Sequence, residues 1–280
     1  MSDKNFKNKK TILNLLLGNK NISSEKIAIA YIIAGSVMAD GIIINKPGTL
    51  VNADCSITIK EKSRYVSRGA IKLEEAVRDF GIDLSNKLAI DFGASTGGFT
   101  DYLIKNKASK IISVDIGYGQ FAWELRNNKN IFLMERTNIK KLEISMLPFI
   151  PDLGVADLSF ISIRNIFYKI FQLTGINAEL VLLIKPQFEL EKNLIENKGV
   201  IKNIILHIKA LTDVVNFFKN FEGIQIKGLN FSKIKGAKGN IEYWIYLQKI
   251  NQDNKEKKDL SYDKMVEDIA QKSHEYFLIN

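Results

Sequence analysis

The stretch DFGASTGGFT, Asp91 to Thr100, has the spacing of a phosphate loop without its cation. Gly93, four residues, Gly98 and then Phe99 and Thr100 follow the frame G-x-x-x-x-G-K-[ST], with an aromatic ring where the lysine belongs. Without that lysine nothing reaches the β- and γ-phosphates of a nucleotide. Asp115 closes KIISVD, where an acidic residue at the end of a second strand accepts hydrogen bonds from ribose hydroxyls. A glycine loop and a ribose acceptor without phosphate chemistry favour an adenosine cofactor that lacks phosphates, and S-adenosylmethionine fits. Asp91, near the tip of the first strand, would orient its sulfonium and amino-acid end, while Gly93, Gly97 and Gly98 would let backbone approach the ligand. The loop alone is also compatible with a dinucleotide binder or with a glycine-rich turn of another α/β protein.

Four more polar residues stand beside apolar runs. Asp157 ends the strand-like piece of VADLSFIS, Lys185 ends LLIK before Pro186 breaks it, Glu242 opens the run of GNIEYWIY, and Lys72 lies in SRGAIKL. Amines and carboxylates so placed can hold one another and move protons. A lone helix lysine is ordinarily solvated and an edge-strand glutamate is ordinarily a surface charge, so Lys72 and Glu242 carry weight only in company. Lys185 is different, because charge seldom closes an apolar strand for packing reasons.

The elements that must position these residues read as a doubly wound α/β domain. LAIDF, KIISVD, NIFLM, LGVAD and ELVLLIK are short apolar runs of the kind found in parallel sheets buried on both faces, with helix-length segments between them. GIQIKGLNF and IEYWIYLQK add an antiparallel pair at one edge, for about seven strands. Ahead of them an amphipathic helix is expected, with Ile71, Leu73, Ala76, Val77 and Phe80 as its buried stripe. Residues 1–62 form a separate small module. SSEKIAIAYIIAGS reads as a helix capped by its serine pair and stopped at Gly35, and VMADG, IIINKPGTLV and SITIK as short β pieces with turns. That is an αL-type (S-four-like) arrangement, common in small RNA-binding modules, and an RNA-binding domain is expected. The remaining segments are a linker at 63–70, the α/β domain at 71–250, and a tail at 251–280. The tail starts as the solvated, flexible NQDNKEKKD and ends in a helix without an assigned role.

The chain has 280 residues, enough for one large and one small core. Forty Lys and Arg against thirty-one Asp and Glu leave +9, and residues 1–66 carry ten Lys and Arg against five Asp and Glu. A basic surplus suits nucleic acid or an anionic membrane surface, although an AT-rich genome also yields lysine- and asparagine-rich chains. Cys55, the single cysteine, excludes an intrachain disulfide and a cysteine-built zinc site, and no metal is expected. The apolar run IAIAYIIA is far shorter than the roughly 18 residues of a membrane span. With no signal-like start, the expectation is a cytoplasmic protein without stable membrane association.

Together, YVSRGAIKLEEA, DFGASTGGFTDYL, VDIGYGQFAWELRN, MERTNI, LSFIS, IKPQFE, KGV and IKGAKGNIEY resemble the TlyA (hemolysin A) family. These are bacterial rRNA ribose methyltransferases with an αL-type module ahead of an FtsJ-like, Rossmann-like domain. The resemblance implies a catalytic tetrad on Lys72, Asp157, Lys185 and Glu242. It also implies cofactor contacts from Asp91, Gly93, Ser95, Thr96, Gly97, Gly98, Phe99, Asp115, Tyr118, Thr137 and Asn138. The implied reaction is methyl transfer from S-adenosylmethionine to cytidine 2′-hydroxyls of rRNA in small or large ribosomal subunits. A ribose hydroxyl is a poor nucleophile that must lie in line with the sulfonium methyl. Lys185 is the residue expected to relieve it of its proton, with Asp157 and Glu242 holding the two lysines. RNA contacts are expected from Lys26, Lys60, Lys62, Arg64 and Arg68. The module departs from the family pattern: Ser24 stands where an arginine is usual, and Ala39-Asp40-Gly41 replaces a valine-asparagine-glycine turn. Two alternatives are a membrane-lytic protein and a catalytically silent ribosome-assembly factor.

Overall fold

The computed structural model describes residues 9–18, 22, 24–33, 35–59, 64–195, 199–251 and 262–279. The chain divides into two compact units, Met1–Arg64 and Tyr65–Asn280.

The first unit runs β1 (Lys9–Thr11), α1 (Ile12–Leu17), α2 (Glu25–Ile33), β2 (Val37–Ala39), β3 (Ile42–Ile44), β4 (Leu50–Asn52) and β5 (Ile57–Ile59). Strand β1 pairs antiparallel with β4, while β2 lies between β3 and β5. Ile12, Leu16, Ala28, Ile32 and Val37 are fully buried and form a small core. The Ser24 hydroxyl accepts the Ile27 amide at 3.4 Å, and Gly35 leaves α2 with φ of 66°. In the β2–β3 hairpin Asp40 and Gly41 both have positive φ, 48° and 80°, the backbone of a two-residue turn that matches strand twist. Asp40 also accepts the Ser56 amide through Oδ1 at 2.9 Å, so the acidic residue holds the turn.

The second unit contains α3 (Gly69–Phe80), β6 (Leu88–Phe92), α4 (Gly98–Lys105), β7 (Lys110–Val114), α5 (Trp123–Arg126), β8 (Ile131–Met134) and β9 (Leu153–Ala156). It continues with α6 (Ile163–Gln172), β10 (Glu179–Ile184), α7 (Pro186–Glu189), α8 (Ile204–Asn220), β11 (Ile224–Phe231), β12 (Tyr243–Lys249) and α9 (Tyr262–Ile279). Seven strands form one sheet in the order β11-β12-β10-β9-β6-β7-β8. Strands β6 to β10 are parallel, and β12 is inserted antiparallel between β10 and β11. The α/β expectation of a doubly wound, seven-stranded sheet holds.

Alternation along the buried strands sends side chains to two cores, as strands covered on both faces require. Ile90, Phe92 and Ile112 pack with Phe167 of α6, Phe218 of α8 and Val266 of α9. Ala89, Val155 and Val181 pack with Leu73 of α3 and Phe99 and Leu103 of α4. The expected stripe of α3 needs one correction. Ile71 is exposed, whereas Lys72, one residue on, is buried with Ala70, Leu73, Ala76 and Val77. A helical step of about 100° turns Ile71 away from this face, and a carboxylate from the sheet receives Lys72 (below). The expected flexible start of the tail, 252–261, lies outside the described residues. Its helix, α9, docks on α8 through Val266 and Ala270. Among the described residues no helix is long and apolar enough to cross a membrane.

Candidate functional site

Chain reversal supplies the key piece of geometry. Strands β6, β7, β9 and β10 all present their carboxyl ends to one edge of the sheet, where ligands of doubly wound folds bind beside the switch in strand order. Asp115, Asp157 and Lys185 each follow the last residue of such a strand. Because β12 runs the other way, with Tyr243 opposite Ile184, the residue preceding it, Glu242, arrives at that same edge. Helix α3 adds Lys72 from its buried face.

The four side chains meet as two ion pairs. Lys72 Nζ donates to Glu242 Oε2 at 2.6 Å across 170 residues of chain, and Lys185 Nζ lies 2.6 Å from Asp157 Oδ1. The second contact is an ion pair without a hydrogen bond to that oxygen, and Lys185 donates to Ser159 Oγ at 3.0 Å. Both lysines are 8% exposed and Glu242 only 3%. Burial pushes the Glu242 carboxyl above its ordinary value, opposed by the charges of Lys72 and Lys185. All four residues line one cavity of about 380 Å³ with Gly93, Ser95, Thr96, Gly98 and Phe99 of the glycine loop. A Cβ on Gly236 would stand 2.2 Å from Glu242 Oε1, so the loop after β11 packs directly on this carboxylate.

The phosphate-loop frame dissolves on inspection. Phe99 is a core ring 5.8 Å from Trp244, and Thr100 turns inward to donate to Asp91 Oδ2 at 2.7 Å. Asp91 itself is fully buried and is not in the lining of this cavity; it ties the first turn of α4 to β6 through the Thr100 amide and hydroxyl. Among the described residues its Oδ1 is buried with no hydrogen-bond partner, and desolvation raises its carboxyl to about 7. Two of the glycines also have a packing role. A Cβ on Gly97 would meet Leu125 and Phe121 at 2.7 and 2.9 Å, and one on Gly98 would meet Ser67 Oγ at 2.1 Å. Their bare backbone admits neighbouring protein, although Gly98 also faces the cavity.

A second cavity, of about 550 Å³, adjoins the first through Gly93, Ser95, Asp157 and Ser159. Asp115, Thr137 and Asn138 line it. The Asp115 carboxylate accepts the Ser95 amide at 2.7 Å and the Gly117 amide at 2.6 Å, one on each oxygen. It is thereby fixed in direction, and each oxygen keeps a further lone pair. Tyr118 stands apart: it is exposed and its ring stacks under the Arg136 guanidinium at 3.9 Å.

Arg68 lies in the wall of the first cavity and is exposed, as are Lys26 and Arg64 elsewhere. Lys60 and Lys62 lie outside the described residues. Sequence reasoning passed over Ser159, Lys235, which also lines the first cavity, and Phe160. Phe160 is 88% exposed with φ of 65°, a costly backbone for a bulky residue. The motif LSFIS contained the signal, but only the fold shows which of its residues face outward.

A doubly wound sheet with its seventh strand reversed, a glycine loop after the first strand and an acidic residue after the second define a Rossmann-type methyltransferase. Residues 65–249 match the FtsJ-like methyltransferase family model. The chain belongs to the TlyA (hemolysin A) family of these proteins. It is 36% identical over 227 residues to the 16S/23S rRNA (cytidine-2′-O)-methyltransferase TlyA of Mycobacterium tuberculosis, covering 80% of this chain and 84% of that one. It is 38% identical over 213 residues to hemolysin A of Brachyspira hyodysenteriae, covering 76% and 88%. A solved structure from Streptococcus thermophilus, provisionally described as a hemolysin, superposes with a TM-score of 0.73 at 32% identity over 98% of both chains.

Proposed function

We propose that this enzyme transfers a methyl group from S-adenosylmethionine to the 2′-hydroxyl of a cytidine in ribosomal RNA within ribosomal subunits. The observation that carries the reading is the meeting of Lys72–Glu242 and Lys185–Asp157 in one cavity with the glycine loop.

The residues present suit the cofactor. A cavity of about 550 Å³ falls in the range of pockets for molecules of that size, roughly 300–1,000 Å³. Asp115, held by two backbone amides, keeps acceptors for ribose hydroxyls, and Ile116, Leu158 and Ile166 offer an apolar wall to a base. When bound, the cofactor supplies an electrophilic methyl on a sulfonium. We assign the hydroxyl proton to Lys185, whose nitrogen is held by Asp157 and Ser159 at the wall of the cavity. Glu242 and Lys72 fix the other side of the cavity. Positioning then supplies most of the acceleration, since the reacting centres need only alignment and proton removal.

RNA binding falls to positive charge at the cavity wall and beyond it. Arg68 and Lys235 at its wall, with Lys26 and Arg64, would contact RNA phosphates; Lys60 and Lys62 are assigned the same role from sequence alone. Incubating isolated ribosomal subunits with methyl-labelled S-adenosylmethionine and mapping the label tests the proposal. The expected product is a single class of 2′-O-methylcytidine. Label on a base, or none in RNA, would overturn it.

A further inference from the structure

On the far wall of the tetrad cavity is a third, smaller space of about 230 Å³ that shares Ser159, Lys185 and Glu242 with it. Its volume is below the range for whole cofactors and suits a single flat ring. Two aromatic rings stand in its wall, Phe160 and Phe188, with centroids 5.6 Å apart. Two amide side chains stand there as well, and their states differ. Asn240 is committed on both sides: Oδ1 accepts the Ile201 amide at 2.8 Å and Nδ2 donates to the Gly199 carbonyl at 2.8 Å. Gln187 differs: among the described residues its Oε1 is buried without a hydrogen-bond partner, an arrangement that costs free energy unless a ligand donor completes it.

We infer that this space receives the target nucleobase and that Gln187 selects cytosine by accepting a hydrogen bond from its exocyclic amine. The inference rests on the proposed ribose methylation. Cytosine presents an amino donor where uracil presents a carbonyl acceptor, so an unpartnered amide oxygen favours the first and opposes the second. Enzymes that act on nucleotides read an extruded base in this way, by its polar edge and by stacking on aromatic rings. A base held here would bring its ribose to Lys185, which belongs to both cavities. Asn240 is already bonded to two backbone groups and Glu242 to Lys72, whereas the buried Gln187 Oε1 has no partner among the described residues.

The test compares full-length wild type with Gln187→Leu, which removes the acceptor, and with Gln187→Glu, which keeps one. Substrates are ribosomal subunits carrying either cytidine or uridine at the mapped nucleotide. In wild type, kcat/KM should favour cytidine by roughly tenfold or more, the factor that one discriminating hydrogen bond supplies. Gln187→Leu should lower that ratio toward one while S-adenosylmethionine affinity stays at the wild-type value, which controls for folding. Gln187→Glu should keep the ratio even where its rate falls. A Gln187→Leu enzyme with the wild-type ratio would overturn the inference. If wild type methylates no ribose, the proposed function fails, and ligand-observed NMR with cytidine and uridine monophosphates decides the subsite alone. A cytidine preference lost in Gln187→Leu supports it, and equal binding of the two by wild type overturns it.

Discussion

Both ends of the central sheet carry a lysine–glutamate pair at 2.6 Å, Lys72–Glu242 at the carboxyl edge and Lys87–Glu179 at the amino edge. The second pair ties the start of β6 to the start of β10, and the Tyr246 hydroxyl donates to the same glutamate. It is more exposed, with side chains 24% and 16% accessible against 11% and 4%. An ion pair therefore says little about chemistry by itself. What distinguishes the carboxyl edge is convergence: a second lysine pair, a glycine loop and a cavity that contains all of them. The amino edge closes a sheet, whereas the carboxyl edge surrounds a space.

Glu242→Leu should break this contrast most severely. It leaves Lys72 buried without a partner, which costs about 3–5 kcal/mol, seen as a lower denaturation midpoint, and it should remove methyl transfer. Lost activity at unchanged stability would show that the pair does not hold the site together. Asp115→Ala acts on binding rather than folding. Losing hydrogen bonds to a charged acceptor should weaken S-adenosylmethionine by about 1.5–3 kcal/mol in calorimetric titration, and unchanged affinity would remove Asp115 from the ribose.

Asp91 sharpens the comparison through pH. Its carboxyl is raised from 3.8 to about 7 by burial. A raised acid contributes stability that is complete below its ordinary pKa and is lost as pH rises through the folded value. Cofactor-free wild type should therefore lose stability between about pH 4 and pH 7 relative to Asp91→Asn, by on the order of 1.4 kcal/mol per pH unit at the steepest. Parallel stability profiles for the two proteins would contradict the assignment. Lys87→Met is the mildest change. Removing one partner of a partly buried pair should cost about 1–2 kcal/mol and leave the methylation rate within a few-fold of wild type. A larger kinetic loss would mean that the two ends of the sheet are coupled.

Much of this was legible in the sequence, and the illegible parts share a cause. Parallel strands announced themselves as apolar runs, and Lys185 as a charge that such a run does not need. Asp115 could be found by its place after the second strand. Nothing in the spacing joins Lys72 to Glu242, because their contact spans 170 residues and depends on β12 running against its neighbours. For the same reason Lys72 looked like a solvated lysine and Ile71 like its buried neighbour. Asp91 and Gly97 sit in the expected motif, yet their side-chain space faces Thr100 and Phe121, which only packing reveals. Gln187 and Asn240 are indistinguishable as amides until their partners are counted.

The most direct test of the central claim is single-turnover methyl transfer to ribosomal subunits by Lys185→Met beside wild type, at saturating S-adenosylmethionine. The account predicts a rate lowered by about 10²–10⁴-fold, the usual worth of a positioned proton acceptor, with cofactor affinity and subunit binding retained. A variant that turns over within a few-fold of wild type would contradict it, and Lys185 would then be, like Lys87, a lysine that closes a sheet.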